Sequence, residues 1–283
     1  MSTASEVSSQ FFRQQDMREA CPVPVAGGIA FVYSARCPDK STPNEDAAAV
    51  IRISESTGVL VLADGLGGGA FGEQAANLAL KHVRSEVVSA VQEDTLLRSA
   101  VLNGFERANE AVLDLGSGTA TTLAVVEIDG HNMRPYHVGD SAILVVGQRG
   151  KIKFQSVPHS PVGYAVESGM LAPDEAMHHE DRHIVSNVIG MSRMRIDLGP
   201  PIPLSPLDTV LLASDGLMDN LHLNEVVEFI RKGPLDVVAD QLATVAGQRM
   251  RATGDHLPSK PDDLTFVVWR RSTTKSVAVI VAD

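Results

Sequence analysis

The sequence predicts an α+β protein made of antiparallel sheets with paired helices packed outside them. Three observations lead there. Short apolar runs of strand length come in blocks, and helical periods come in pairs. The resulting order is strand, strand, helix, helix, many strands, then helices. This does not alternate as a doubly wound parallel sheet requires. Finally, the 283 residues are 44% apolar with no internal repeat or low-complexity linker, so one large domain with a single core is feasible.

The elements follow from the pattern in order. Residues 1–24 read as an arm or an edge addition, 25–271 as the domain and 272–283 as a C-terminal extension. Gly28 to Ser34, Ala47 to Ser54 and Val59 to Ala63 read as strands, the last two parted by the turn-like Glu55-Ser56-Thr57-Gly58. From Gly72 to Val91 the apolar residues Ala76, Ala79, Leu80, Val83, Val87 and Val91 keep spacings of three and four, an amphipathic helix. A second helix is expected over Asp94 to Leu115, with Asp94 as its N-cap and Gly116 as its stop. Strands resume at Ala120 to Glu127, Met133 to Val138, Ala142 to Val146 and Lys151 to Gln155. Pro158 to Gly190 is irregular, with a short helical signal at Pro173 to His178. Helices at Asn224 to Arg231 and Leu235 to Met250 lie between the strands Thr209 to Ala213 and Thr265 to Trp269. The tail Ser276 to Ala282 reads as an edge strand or a docking segment.

Composition excludes several function classes. A formal charge of -11 argues against nucleic acid as a partner, because phosphate contacts need clustered Lys and Arg. No apolar stretch approaches the roughly 18 residues of a membrane span, and the polar N-terminus has no signal-peptide core. Cys21 and Cys37 make neither a disulfide framework nor a zinc knuckle. The expectation is a soluble cytoplasmic protein with reduced thiols and no membrane association.

The informative feature is where the aspartates fall. Val59–Ala63 ends in Asp64-Gly65, Tyr136-His137-Val138 in Gly139-Asp140-Ser141, and Thr209–Ala213 in Ser214-Asp215-Gly216. Asp262-Asp263 stands just before Leu264–Val268. One Asp-Gly pair is only a turn. Four strand-rim carboxylates in one chain would gather negative charge that cations make tolerable. Such an all-oxygen set suits Mg²⁺ or Mn²⁺ better than zinc. Two ions about 3.5–4 Å apart can activate a water and clamp a phosphate for in-line attack. The run Gly65-Leu66-Gly67-Gly68-Gly69 lacks the Gly-Lys-Ser/Thr ending of a nucleotide-binding P-loop.

Six motifs in order resemble the metal-dependent Ser/Thr protein phosphatases of the PP2C (PPM) type in their compact bacterial form. They are Asn44-Glu45-Asp46, Ala63-Asp64-Gly65-Leu66-Gly67-Gly68, Gly118-Thr119-Ala120-Thr121-Thr122, Val138-Gly139-Asp140-Ser141, Ser214-Asp215-Gly216-Leu217-Met218-Asp219 and Asp262-Asp263-Leu264-Thr265. The segment from His159 through Arg182 to Gly190 resembles the family's flap. The resemblance implies a four-layer α-β-β-α sandwich, two antiparallel sheets flanked by helix pairs. It also implies hydrolysis of phosphoserine and phosphothreonine in proteins by a hydroxide bridging two Mn²⁺ or Mg²⁺ ions. By carry-over, Asp64 bridges the two ions with the Gly65 carbonyl on one, while Asp215 and Asp262 hold the other. Glu45 and Asp46 belong to the water shell, and Asp140 and Asp219 match the positions of a third ion. Phosphorylated proteins are the implied substrates and a cognate Ser/Thr kinase the implied partner.

The chain departs from the family pattern at the phosphate grip. Ser41 stands where an Arg is common, leaving Lys40 or Arg36 as candidates to bind substrate phosphate, although Lys lacks the bidentate fork. Leu66, Ala142 and Asn187 replace a His and two Arg. Two other functions compete. One is a PP2C-fold binding or regulatory module that has lost activity. The other is a zinc protease, from the His-Glu-x-x-His match at His179-Glu180-Asp181-Arg182-His183. Its following residues, Ile184 to Gly190, are poor helix. Met170, Met177, Met191 and Met194 read as gap-filling side chains rather than a peptide-binding surface.

Overall fold

The computed structural model describes residues 7–67, 70–252 and 257–272. In chain order come β1 (Ser8–Arg13), β2 (Cys21–Val25), β3 (Gly28–Ala35), β4 (Ala47–Arg52), β5 (Thr57–Ala63) and the short β6 (Gly65–Leu66). Helices α1 (Ala70–Glu93) and α2 (Leu97–Asp114) follow. Then come β7 (Ala120–Thr121), β8 (Leu123–Asp129), β9 (Asn132–Val138), β10 (Ala142–Val146) and β11 (Ile152–Gln155). The irregular stretch holds α3 (Pro161–Glu167), α4 (Pro173–Ala176) and a 3₁₀ turn, Glu180–His183. The chain continues through β12 (Asp197–Leu198), β13 (Ile202–Pro203), β14 (Thr209–Ala213), α5 (Asp215–Met218), α6 (Leu223–Ile230), α7 (Leu235–Arg251) and β15 (Leu264–Arg271).

Every strand pairing is antiparallel. One sheet runs β1-β4-β5-β8-β9-β12, with β13 also on β9, and the second runs β11-β10-β14-β15-β3-β2. Their facing sides bury Val50, Leu60, Leu62, Val126, Ile143, Val210, Leu212, Val267 and Trp269 in a common core. The opposite side of the first sheet packs Val59, Val61 and Val125 against α1 and α2 through Ala76, Leu80, Val83 and Phe105. The opposite side of the second packs Leu211, Phe266 and Val268 against α6 and α7 through Val226, Leu242 and Ala246. This is the predicted four-layer arrangement. Strands buried on both faces read as continuous apolar runs, which is why β5, β10 and β14 were unambiguous in the sequence.

The N-terminal segment supplies an edge strand to each sheet: β1 pairs with β4, and β2 pairs with β3. Asp94 does not cap α2. The N-cap position is Leu96, while Asp94 takes φ 53° in the tight reversal where the Thr95 N–H returns to the Ala90 carbonyl. Asp tolerates that left-handed conformation, so the polar residue served the turn instead of the helix. Gly116 does end α2, at φ 63°. Met170 is 79% exposed and Met191 39% exposed, so neither fills a gap. The tail Ser276 to Ala282 lies outside the described residues. Among those described, no helix is long and apolar enough to cross a membrane.

Candidate metal centre

The sandwich delivers the predicted carboxylates to one end. Asp64 follows β5, Asp140 follows β9, Asp215 opens α5 directly after β14, Asp262 precedes β15 and Asp46 precedes β4. They are near enough to act on one another. Burial, then the charges of Asp46, Asp215, Asp140 and Asp262, hold the Asp64 carboxyl well above the ordinary range. Asp46 is raised likewise by burial and by Asp263, Asp215 and Asp262. Asp140 is pushed up to about 7 by burial and Asp215. Asp262 is raised by burial and Asp215. Asp215 is also raised, by burial first, although Lys260 pulls the other way, and it lies within side-chain hydrogen-bonding reach of Asp64. Removed from water, these groups resist becoming charged together.

Hydrogen bonds fix the backbone beneath them. The Asp64 N–H donates to Thr122 Oγ1 at 2.9 Å, and its carbonyl accepts from the Thr122 N–H and from Thr121 Oγ1, both at 2.8 Å. Thr122 Oγ1 also pairs with Ser141 Oγ at 2.7 Å, tying the Asp64 turn to the Asp140 turn. Ser214 Oγ donates to Asp46 Oδ2 at 2.8 Å, which ties the two sheets across the site. Asp263, adjacent to Asp262, accepts from the Cys37 N–H at 2.7 Å and the Glu45 N–H at 2.8 Å. It thereby shapes the loop 37–45. Gly65 and Gly72 let α1 approach: a Cβ on Gly65 would lie 2.3 Å from the Gly72 carbonyl oxygen, and one on Gly72 would lie 2.5 Å from Glu45 Oε1.

The basic residues are distributed differently from expectation. Lys40 does reach the site, donating to Glu45 Oε2 at 2.8 Å and Asp263 Oδ2 at 2.6 Å. Arg36 instead pairs with Asp16 at 3.6 Å, near the surface. Lys260, unremarked in the sequence, contacts Asp215 and lies 2.9 Å from Asp219 and 3.2 Å from Asp262. Burial alone would lower its pKa, but these carboxylates outweigh it and keep the ammonium charged. Asp219, the residue closing α5, donates its N–H to the Asp215 carbonyl at 2.7 Å, so both acids ride on one turn.

The irregular segment is pinned beside the acids at both ends. The His159 N–H donates to the Gly139 carbonyl at 3.0 Å, and Ile189 forms an antiparallel bridge with Thr121. Here His137, His159 and Asp197 bring their ligand atoms within 4.8 Å of one another, the one such trio among the described residues. The bond to His159 Nδ1 and the Asp197 carboxylate beside Nε2 account for it without a metal. His159 Nδ1 accepts from the Gly139 N–H at 3.1 Å, so Nε2 carries the proton and faces Asp197 Oδ2 at 3.1 Å. A protonated nitrogen has no lone pair to give a cation. The zinc-protease reading fails on conformation. Glu180–His183 is a single 3₁₀ turn, with His179 Nδ1 accepting from the Asp181 N–H and His183 Nδ1 against the Glu180 carbonyl oxygen. Two His are not projected from one α-helical face.

The residues fit divalent ions. The donors are all oxygens, which suits Mn²⁺ or Mg²⁺. Glu45 Oε1 is buried without a hydrogen-bond partner, as expected of an oxygen whose partner belongs to a metal's water shell.

Comparison with known proteins agrees. The sequence model of the family described as Protein phosphatase 2C matches residues 35–252. The protein phosphatase PhpP of Streptococcus pneumoniae is 30% identical over 200 residues, 68% of this chain and 80% of its own. The solved serine/threonine phosphatase of S. agalactiae is 26% identical with a TM-score of 0.72, over 86% of this chain and 99% of its own. The catalytic domain of the phosphatase PstP, solved in complex with 2 manganese ions, shares the fold at TM-score 0.65 and 24% identity, over 85% of this chain and 96% of its own. With a family match over most of its length, the chain belongs to the protein phosphatase 2C family and is a protein serine/threonine phosphatase.

Proposed function

We propose that the chain hydrolyses phosphoserine and phosphothreonine in proteins with Mn²⁺ or Mg²⁺ held at the rim of its two sheets. The observation carrying this reading is the convergence of Asp46, which is buried, with Asp64, Asp140, Asp215 and Asp262, which are half-buried, near enough to disfavour one another's charge. Cations resolve that conflict. Asp64, the Gly65 carbonyl, Asp215 and Asp262 hold the central ions, with Asp140 and Asp219 as the further site. The PstP domain, which shares the fold, was solved with 2 manganese ions. Divalent ions bound there supply an activated water and a positive clamp for phosphoryl oxygens.

The chain's own residues do the rest. Thr122 and Ser214 hold Asp64 and Asp46 in fixed orientation. Glu45 and Asp46 accept hydrogen bonds from water near the reacting phosphorus. Lys40, with Ser41 beside it in place of the family's Arg, is the cation available to the phosphate, its third N–H left free by the bonds to Glu45 and Asp263. The segment 158–190, anchored beside Asp140 and Asp64, is positioned to contact the protein flanking the phosphorylated residue. A cognate Ser/Thr kinase would supply the substrate.

Phosphate release from phosphothreonine and phosphotyrosine peptides tests this, with Mn²⁺, Mg²⁺, Zn²⁺ or chelator. Turnover of phosphothreonine confined to Mn²⁺ or Mg²⁺ is expected. Metal binding without turnover would favour a regulatory module, a reading supported by the two lysines already paired with site carboxylates.

A further inference from the structure

Lys260 lies two residues before Asp262, in the stretch leading into β15. Its backbone is clamped by Asn220, which is 0% exposed. Asn220 Oδ1 accepts from the Lys260 N–H, and Asn220 Nδ2 donates to the Lys260 carbonyl, both at 2.8 Å. The same amide donates to the Gly216 carbonyl at 2.9 Å, coupling Lys260 to the turn that carries Asp215 and Asp219. The base of this side chain is therefore fixed on the scaffold of the acid cluster.

Its ammonium bridges carboxylates from separate segments. It contacts Asp215, and stands 2.9 Å from Asp219 Oδ2 and 3.2 Å from Asp262 Oδ2. All three are among the acids assigned to divalent ions. An ammonium is a compact point charge with three donors, and it relieves the same repulsion that a metal relieves. Each contact uses the Oδ2 atom, and an ammonium seated on three of them repels a divalent ion drawn to the same carboxylates.

Resting on the metal-centre reading above, we infer that Lys260 is a tethered counter-ion that competes with divalent metal for Asp215, Asp219 and Asp262. It neutralises the cluster when metal is scarce and swings aside when metal binds. Metal occupancy then depends on displacing an internal cation, which sets the threshold concentration at which the phosphatase is loaded. Lys260 remains protonated throughout, and no covalent step is involved.

The test is titration calorimetry of Mn²⁺ into the metal-free full chain, comparing wild type with Lys260→Met, Lys260→Gln and Lys260→Arg. Thermal scans establish that each is folded. The two neutral variants should bind Mn²⁺ on the order of tenfold more tightly or gain a binding equivalent, since they remove an ion pair from a partly desolvated cluster. Lys260→Arg, which keeps the charge, should stay near wild type. Identical non-zero isotherms for wild type and both neutral variants would overturn the competition while leaving the metal centre intact. So would Lys260→Arg tightening as much as Lys260→Met, because charge would not be the cause. Absence of Mn²⁺ binding in every protein would overturn the metal reading itself, and the lysine's role with it.

Discussion

Gly216 offers a perturbation whose consequence can be worked from geometry. It follows Asp215 on α5, and an added Cβ would sit 1.9 Å from the carbonyl oxygen of Asp263 and 3.2 Å from the Cα of Leu264. Real contacts begin near 3.0 Å, so Gly216→Ala must part α5 from the start of β15 by more than an ångström. Both neighbours are backbone and cannot rotate away. Overpacking of this kind costs about 1–3 kcal/mol, which lowers Tm by roughly 2–12 °C in a domain of this size. The same displacement separates Asp215 from Asp262, so Mn²⁺ affinity should fall with stability. Gly247→Ala is the matched control. There the new Cβ meets only the tip of Arg251 at 3.3 Å, and the site is interior to α7. It should stabilise by about 0.4–1 kcal/mol through the unfolded chain's lost freedom. Differential scanning calorimetry in chelator and in Mn²⁺ reads both. A Gly216→Ala protein as stable and as metal-avid as wild type would refute the close seating of α5 on β15.

Further outcomes follow from the site. The stability added by Mn²⁺ over chelator should grow as pH rises from about 5.5 to 8. Asp140, raised to about 7 from an ordinary 3.8, contributes stability when protonated and loses it as pH rises through that value. Over this window the loss in the metal-free protein is at most about 2 kcal/mol, at roughly 1.4 kcal/mol per pH unit up to about pH 7. Paired thermal scans check it, and a gap that narrows with pH contradicts it. Asp219→Ala should leave the central ions bound in calorimetry yet slow turnover on the order of tenfold; unchanged kcat removes Asp219 from the reaction. His159→Ala should cost about 1–3 kcal/mol in urea unfolding, because the Gly139 N–H is left buried and unpaired. An unmoved midpoint would show that the anchor is not structural.

The fold was legible where strands are buried on both faces and helices on one, because the pattern there is continuous or strictly periodic. It was not legible in β12 and β13, which are two residues long, while β1 and β2 were legible only as one alternative, an edge addition, with no apolar run to mark them as strands. Helix α3 carried a readable signal, Ser160 capping the Gly163 N–H and Pro161 at its first position, but only Val162 among its side chains is buried. The acids could be found because each ends or begins an apolar strand. Lys260 could not, since a lysine beside prolines reads as loop. Its role arises from Asn220, forty residues earlier in sequence and joined to it only in the fold. Asp263 is similar: its neighbour faces the cluster, and only the structure shows it organising residues 37–45.

The central claim is that Asp64 is the carboxylate on which metal binding and turnover both depend. The most direct measurement compares wild type and Asp64→Ala for phosphate release from a phosphothreonine peptide in Mn²⁺, with Mn²⁺ stoichiometry by calorimetry on the same samples. The expected result is a folded variant that has lost bound metal and, with it, metal-dependent release. Full activity in a folded Asp64→Ala protein would contradict the account.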